Sequence, residues 1–209
     1  MELLLHCCCA PCSVSCVKAL RGGNIEPHLY WYNPNIHPYT EYVLRRDCLL
    51  SFADNEKLEL SLLDEYGLRL FLYEMYEEIK TPSFLATRRE TSRGKRCEKC
   101  YSTRLEKTAS FAAEKGFSAF STTLLISPYQ NHDMIKQTGE EASAKHGVAF
   151  FYRDFRALFR EGQAAARAKG MYKQKYCGCV FSEEERFSEL FSAKKRGQRG
   201  YNSERKSVL

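Results

Sequence analysis

Short, nearly continuous apolar runs alternate along the chain with longer stretches of mixed polarity. Glu2 to His6 reads as a buried first strand, Pro27 to Tyr32 as an aromatic-rich second, Leu58 to Leu63 as a third, Phe117 to Thr122 as a fourth and Val148 to Tyr152 as a fifth. Between them the pattern predicts helices. One starts at Cys12 and runs to Ala19, with Pro11 at a permitted early position and Gly22-Gly23 as its stop. Tyr39 to Asn55 follows the turn Asn33-Pro34-Asn35. Phe71 to Lys107 is helical in pattern, with an interruption around Thr91 to Gly94, and Gln130 to Lys145 is closed by Gly147. This alternation predicts an α/β fold, a three-layer, Rossmann-like sandwich on a mostly parallel sheet. After Phe155 no further strand is expected, only a C-terminal helical section beside the sheet.

At 209 residues the chain is long enough for a substantial core, and residues 1–192 are expected to form one domain. From Ala193 onward six basic residues face one acidic residue with few apolar anchors, so 193–209 reads as a basic, mobile tail. Hydrophobic residues at 44% and charged residues at 28% fit a soluble globular protein. No apolar run approaches the roughly 20 residues of a membrane span. The opening MELLLHCCCAPCS lacks the basic start of a signal peptide and its apolar run stops after Leu5. A cytoplasmic location with no membrane partner is therefore expected.

That location changes the meaning of ten cysteines. Reducing conditions disfavour structural disulfides, so clustered thiols point to metal binding or thiol chemistry. Three clusters stand out. Cys8, Cys9 and Cys12 follow the first strand, at the edge where α/β sheets bind ligands, and Cys12 falls near a helix start, whose dipole favours a thiolate. Cys97 and Cys100 form a C-x-x-C, a spacing that lets two thiolates reach one metal or cluster. Cys177 and Cys179 flank a glycine that lets the backbone fold sharply around an ion. Cys16, one turn beyond Cys12, reads as core; Cys7, Cys8 and Cys9 cannot all face one metal in an extended segment unless the backbone turns, and Cys7 is left out of the set. Seven clustered thiols exceed the four that a [4Fe–4S] cluster or a zinc site takes. Softness alone fits iron–sulfur and zinc equally well.

Charge is unevenly spread. Arg88 to Lys107 holds eight basic and three acidic residues, and Arg153 to Lys175 holds seven and two, while Ser51 to Lys80 reverses the balance with eight acidic and three basic. Two basic blocks beside cysteine pairs suit an anionic partner, with nucleic acid as the obvious candidate, or simply a solvated face.

The segments LLHCCCAPCS, YNPNIHPYTEY with Arg45, RCEKCYSTRL, FSTTLLISPYQ and MYKQKYCGCVFS, in that order, resemble the QueH-type epoxyqueuosine reductase family from Leu3 to about Ser182. The resemblance implies an oxidoreductase that removes the epoxide oxygen from epoxyqueuosine at the tRNA wobble position, the last step of queuosine biosynthesis, without cobalamin. It also implies a [4Fe–4S] cluster beside a mononuclear iron, which accounts for the surplus thiols, and Cys7 is the extra cysteine relative to the family pattern. The accompanying division gives Cys9, Cys97, Cys100 and Cys177 to the cluster and Cys8, Cys12 and Cys179 to the iron. The partners expected are tRNA carrying epoxyqueuosine and a low-potential electron donor. Candidate proton sources beside the metal are Tyr176 and His6, with a packed histidine at a strand end as the alternative for His6. Tyr32, Asn33 and Asn35 after the second strand, and Ser121, Thr122 and Thr123 after the fourth, are candidate substrate contacts, with turn chemistry as the alternative. Arg45, Arg96, Arg104, Lys173 and Lys175 suit phosphates, and Tyr172 and Tyr176 suit stacking on an unstacked base.

Other readings make different demands. An iron–sulfur tRNA-thiolating enzyme normally needs a Gly/Ser-rich pyrophosphate loop where HCCCAPCS stands. A non-catalytic zinc RNA-binding protein would be colourless. A thiol–disulfide oxidoreductase built on Cys97 and Cys100 leaves the other clusters idle.

Overall fold

The structure, a computed structural model, describes residues 1–80 and 91–188. The expected basic tail lies outside the described residues. Five strands form one sheet in the order β3-β2-β1-β4-β5, namely Leu60–Leu62, Pro27–Trp31, Leu3–His6, Ala119–Thr122 and Ala149–Phe150, and every pairing is parallel. Leu3, Leu4 and Leu5 are almost wholly buried because β1 is the central strand of a sheet covered on both faces. Leu3 pairs with Pro27 on one side and Ala119 on the other. The chain builds outward from β1 in one direction through β2 and β3, then returns to its other side for β4. The crevice between β1 and β4 is therefore the topological switch point.

Helix α1 (Ala10–Arg21) packs against α2 (Tyr39–Glu56). The short helices α3 (Leu68–Glu74) and α4 (Tyr76–Ile79) precede α5 (Thr91–Lys115), which packs against α6 (His132–His146). Helix α7 (Phe159–Ala168) returns to α1, and residues 180–188 form a last described helix, α8. Tyr30 stacks on Phe111 with centroids 4.6 Å apart, fixing α5 to the sheet. Trp31 donates from Nε1 to the Tyr42 hydroxyl at 3.0 Å, and that hydroxyl donates to Asp64 at 2.8 Å, tying α2 to the segment after β3.

The α/β class and all five strands agree with the sequence pattern, although each strand is shorter than expected, β3 and β5 the most. Helix α1 begins two residues early, since Pro11 is accommodated in its first turn. The expected interruption at Thr91 to Gly94 does not occur. Gly94 has open space around it, so its cost is only the roughly 1 kcal/mol of an exposed helical glycine, and packing further along α5 outweighs that. The helix also continues eight residues past Lys107, to Lys115.

Candidate metal centre

The loop after β1 is where the first thiols are shaped. Cys7 extends the ladder, its N–H donating to Tyr30 O at 2.8 Å, and Asn33 Nδ2 then caps Cys7 O at 2.9 Å. Cys9 is the N-cap of α1 with extended backbone (φ −172°, ψ 154°), and Ser13 Oγ donates to its carbonyl at 2.9 Å. This turn from strand to helix brings the Sγ atoms of Cys8, Cys9 and Cys12 within 4.8 Å of one another, all three buried. Hydrogen bonds from Cys12 and Cys9 hold the Cys8 thiol below its ordinary range, and the Cys8 thiolate in turn pushes Cys12 up. One negative charge is thus already favoured at the positive end of α1. Cys7 faces elsewhere: its S–H donates to Leu5 O at 3.3 Å, and burial pushes it up to about 12. Cys16 is fully buried and likewise pushed up by burial.

Opposite stands α5. Cys97, Cys100 and Arg104, spaced three and four residues apart, share one helix face. Arg104 is buried, donating from Nε to Cys100 O at 3.0 Å and from Nη2 to Cys100 Sγ at 3.2 Å. Its charge also acts on Cys8 and Cys177.

The third cluster arrives on a loop pinned from behind. Arg45, 1% exposed, donates from Nη1 to Cys177 O at 3.0 Å, from Nη2 to Tyr176 O at 2.9 Å and from Nε to Glu41 Oε1 at 2.7 Å. Gly178 has φ +125° and its O accepts from His37 N at 2.8 Å. A Cβ there would lie 3.1 Å from Ile36 Cγ1 and 3.3 Å from Arg45 Nη1, so glycine is required for both conformation and space. The Sγ atoms of Cys177 and Cys179 are 3.8 Å apart, and a hydrogen bond from Cys179 brings Cys177 down to about 5.

These elements enclose a cavity of about 1210 Å³ lined by six of the seven clustered cysteines, and Cys9 adjoins it through Cys8 and Cys12. The donor set fits a metal. Soft sulfurs, buried at Cys8, Cys9, Cys12 and Cys179, half-buried at Cys97 and Cys100 and exposed at Cys177, meet three buried arginines, Arg45, Arg96 and Arg104, that offset thiolate charge. Cys8, Cys9 and Cys12 form one trio, and the charges of Cys177 and Cys97 act on Cys100.

The remaining expected residues divide sharply. Asn35, Thr123, Lys173, Lys175 and Tyr176 line the cavity. Asn35 Oδ1 is buried without a partner, and Thr123 Oγ1 accepts from Cys8 N at 3.4 Å. Arg45, Arg96 and Arg104 line the cavity too, but at 1%, 4% and 4% exposure they present little surface to a phosphate. Their guanidinium groups are buried, and Arg96 is engaged by Glu185 at 2.7 Å. His6 is a packed core residue, with Nδ1 2.9 Å from Thr122 Oγ1 and Nε2 3.2 Å from Tyr32 O. Burial lowers it to about 4, so it is neutral with both nitrogens occupied and offers no proton. Tyr176 commits its hydroxyl to His37 O at 2.5 Å. Tyr32 lines a separate groove with Thr103 and Glu74, and Tyr172 donates to Glu41 rather than facing the cavity. Asn33 and Thr122 serve the loops themselves, Thr122 accepting from Leu124 N at 3.1 Å, while Ser121 is buried without a partner in the sheet.

One contact escaped the sequence reading. Gln174 Nε2 donates to Cys9 Sγ at 3.1 Å and lies 3.9 Å from Cys12 Sγ, and its Oε1 is buried without a partner. The available signal was alternation: Lys173 and Lys175 are exposed, so in an extended segment Gln174 points inward.

A family model described as Epoxyqueuosine reductase QueH matches residues 3–185. A protein called Epoxyqueuosine reductase QueH from Thermotoga maritima is 36% identical over 201 residues, covering 93% of this chain and 97% of the relative. One of the same name from Dehalococcoides mccartyi is 34% identical over 188 residues, covering 90% and 96% respectively, and one from Acinetobacter baylyi is 35% identical, covering 87% and 80%.

Proposed function

The chain belongs to the QueH family of epoxyqueuosine reductases, and from that membership we propose a metal-dependent reduction carried out in the thiol-lined cavity. Its activity is that of an oxidoreductase of queuosine biosynthesis, converting epoxyqueuosine to queuosine in tRNA. The observation that carries the detailed reading is the meeting of seven thiols from three segments at the switch point of the sheet. Cys97, Cys100, Cys177 and Cys179 suit a [4Fe–4S] cluster, and Cys8, Cys9 and Cys12 suit a mononuclear iron with a further position open. When bound, these groups supply electrons and a Lewis acid for the epoxide oxygen.

The reaction consumes two electrons and two protons, turns the epoxide into an alkene and releases the oxygen as water. The chain's own residues prepare the place for it. Arg104 keeps a fixed positive charge between the two thiol groups, Arg45 holds the Cys177–Cys179 loop in position, and Gln174 orients Cys9. Asn35 Oδ1 and Gln174 Oε1 are unpartnered acceptors in the cavity wall, suited to substrate N–H or O–H groups. Since His6 and Tyr176 have their polar atoms engaged, the protons come from solvent through the mouth. The wobble nucleotide must swing out of its stack to enter, at a cost of roughly a few kcal/mol, less in a loop than in a duplex. Lys173 and Lys175 at the mouth meet phosphates. A low-potential donor delivers the electrons. No described helix is long and apolar enough to cross a membrane, and a tRNA substrate fits a cytoplasmic location.

Anaerobic iron, zinc and sulfide quantification tests the metal assignment. Labile sulfide with more iron than one four-iron cluster requires is expected, and stoichiometric zinc without sulfide would overturn it.

A further inference from the structure

The basic residues on much of the surface are neutralised. Lys18 pairs with Glu161 at 2.6 Å, Arg46 with Asp64 at 2.7 Å, Arg156 with Asp154 at 2.6 Å and Lys169 with Glu56 at 2.5 Å. Lys57, Arg69 and Lys107, among others, are also unpaired, but the cavity mouth gathers four such cations: Arg160, Arg167, Lys173 and Lys175 all line it, and none of these has an ion-pair partner among the described residues. Glu185, an acidic residue of the same lining, is taken up by Arg96.

Two of these cations belong to one helix. Arg160 and Arg167 are seven residues apart on α7, hence on the same face and about 10 Å apart along the axis. Both are exposed, and Gln163 lines the cavity between them. The helix is held close to the thiols. A Cβ on Gly162 would lie 2.7 Å from Ser15 Oγ, so α7 lies tightly against α1, the helix that carries Cys12. Tyr129 stands at the same mouth, 75% exposed, with its ring edge-on to Phe159 at 5.9 Å and 85°. An exposed tyrosine braced by the first residue of α7 presents a free aromatic face in a set orientation.

We propose that α7 is a rail for the RNA backbone, with Arg160 and Arg167 on successive phosphates and Tyr129 stacking a base beside the reacting nucleotide. This rests on the reading of tRNA as substrate and adds the path by which the strand crosses the cavity. Charge complementarity selects the occupant: an unpaired row of cations next to an exposed aromatic is the arrangement that binds single-stranded nucleic acid. Clamped to α1, the rail keeps a fixed distance to Cys12, so a nucleotide swung out between the two arginines enters over the metal ligands.

The test measures binding of a synthetic anticodon stem-loop RNA to the anaerobic, metal-loaded full chain by fluorescence anisotropy across a salt series. Arg160→Gln with Arg167→Gln is expected to weaken binding about tenfold and to reduce the slope of log K against log salt by about 1.4, at about 0.7 per phosphate contact on a single strand. Tyr129→Ala is expected to weaken it about tenfold without changing the slope, with Tyr129→Phe restoring affinity. Lys115→Gln with Lys136→Gln, a matched charge change outside the cavity, is the control. The rail is overturned if the α7 variant behaves like that control. It is equally overturned if the variant loses iron, because the two arginines would then serve metal retention. Turnover of wild-type protein is scored separately. Wild type that binds through α7 but leaves the epoxide intact defeats the functional reading alone, and wild type that converts it while its α7 variants bind undiminished defeats the rail alone.

Discussion

Arg45 donates from Nη1 to the carbonyl oxygen of Cys177 across 3.0 Å, so a residue of α2 sets the backbone of the loop that carries Cys177 and Cys179, 132 positions later in the chain. The same guanidinium holds Tyr176 O and is neutralised by Glu41, itself buried and engaged by Tyr172. Removing one member of a buried pair leaves the other charge uncompensated, at a cost of about 3–5 kcal/mol. Arg45→Ala is therefore expected to lower the thermal midpoint and to release iron from the Cys177–Cys179 side. Arg45→Lys should rescue it poorly, because an ammonium cannot reproduce the planar fork. Full iron content and an unchanged midpoint in Arg45→Ala would contradict this role.

The grouping of thiols makes a separate prediction. Cys97→Ala or Cys100→Ala should abolish the four-iron electron paramagnetic resonance signal, whereas Cys16→Ala and Cys48→Ala, the latter at a half-buried position of α2 that does not line the cavity, should leave it intact. Cys9→Ala should also retain that signal while losing the extra iron, because Cys9 sits with Cys8 and Cys12. A full-strength cluster signal in Cys97→Ala, or its loss in Cys9→Ala, would break the assignment.

Much of this centre is legible in the sequence, and what is missing has a common cause. Apolar runs mark the strands because a doubly covered parallel sheet needs continuous burial, as in Leu3, Leu4 and Leu5. Cysteine spacing marks the thiols that meet around the cavity, because two thiolates must be able to reach one site. Composition does not say which way a charged side chain faces. Arg45 beside a metal motif reads the same whether it meets a phosphate in solvent or a carbonyl in the core. Its partner four residues earlier, Glu41, was the available hint of an internal pair. Tyr32 and Asn35 are three residues apart yet line different cavities, since the turn at Asn33 to Asn35 reverses the chain between them. The division of the thiols depends on the extended N-cap at Cys9, a backbone detail with no compositional mark.

His37 gives a prediction in pH. Its ring is buried between Tyr66 and Phe71 with both nitrogens unpartnered, and burial pushes it down to about 4. The folded state therefore keeps it neutral, while the unfolded chain takes up a proton near pH 6.5. Its contribution is complete above about pH 6.5 and is lost as pH falls toward about 4. His37→Phe should accordingly gain stability relative to wild type at pH 5 compared with pH 7.5, read from thermal midpoints of the anaerobic proteins. An equal difference at both pH values would count against a neutral, buried imidazole.

Reduction of the epoxide on tRNA is the central claim, and nucleoside mass spectrometry tests it most directly. Anaerobic protein with its metals bound and a low-potential reductant is incubated with tRNA carrying epoxyqueuosine, and the digested nucleosides are weighed. Loss of one oxygen, giving queuosine in the presence of enzyme and not in its absence, is the result predicted. Persistence of the epoxide with fully metallated, reduced enzyme would contradict the account, whatever the iron content proved to be.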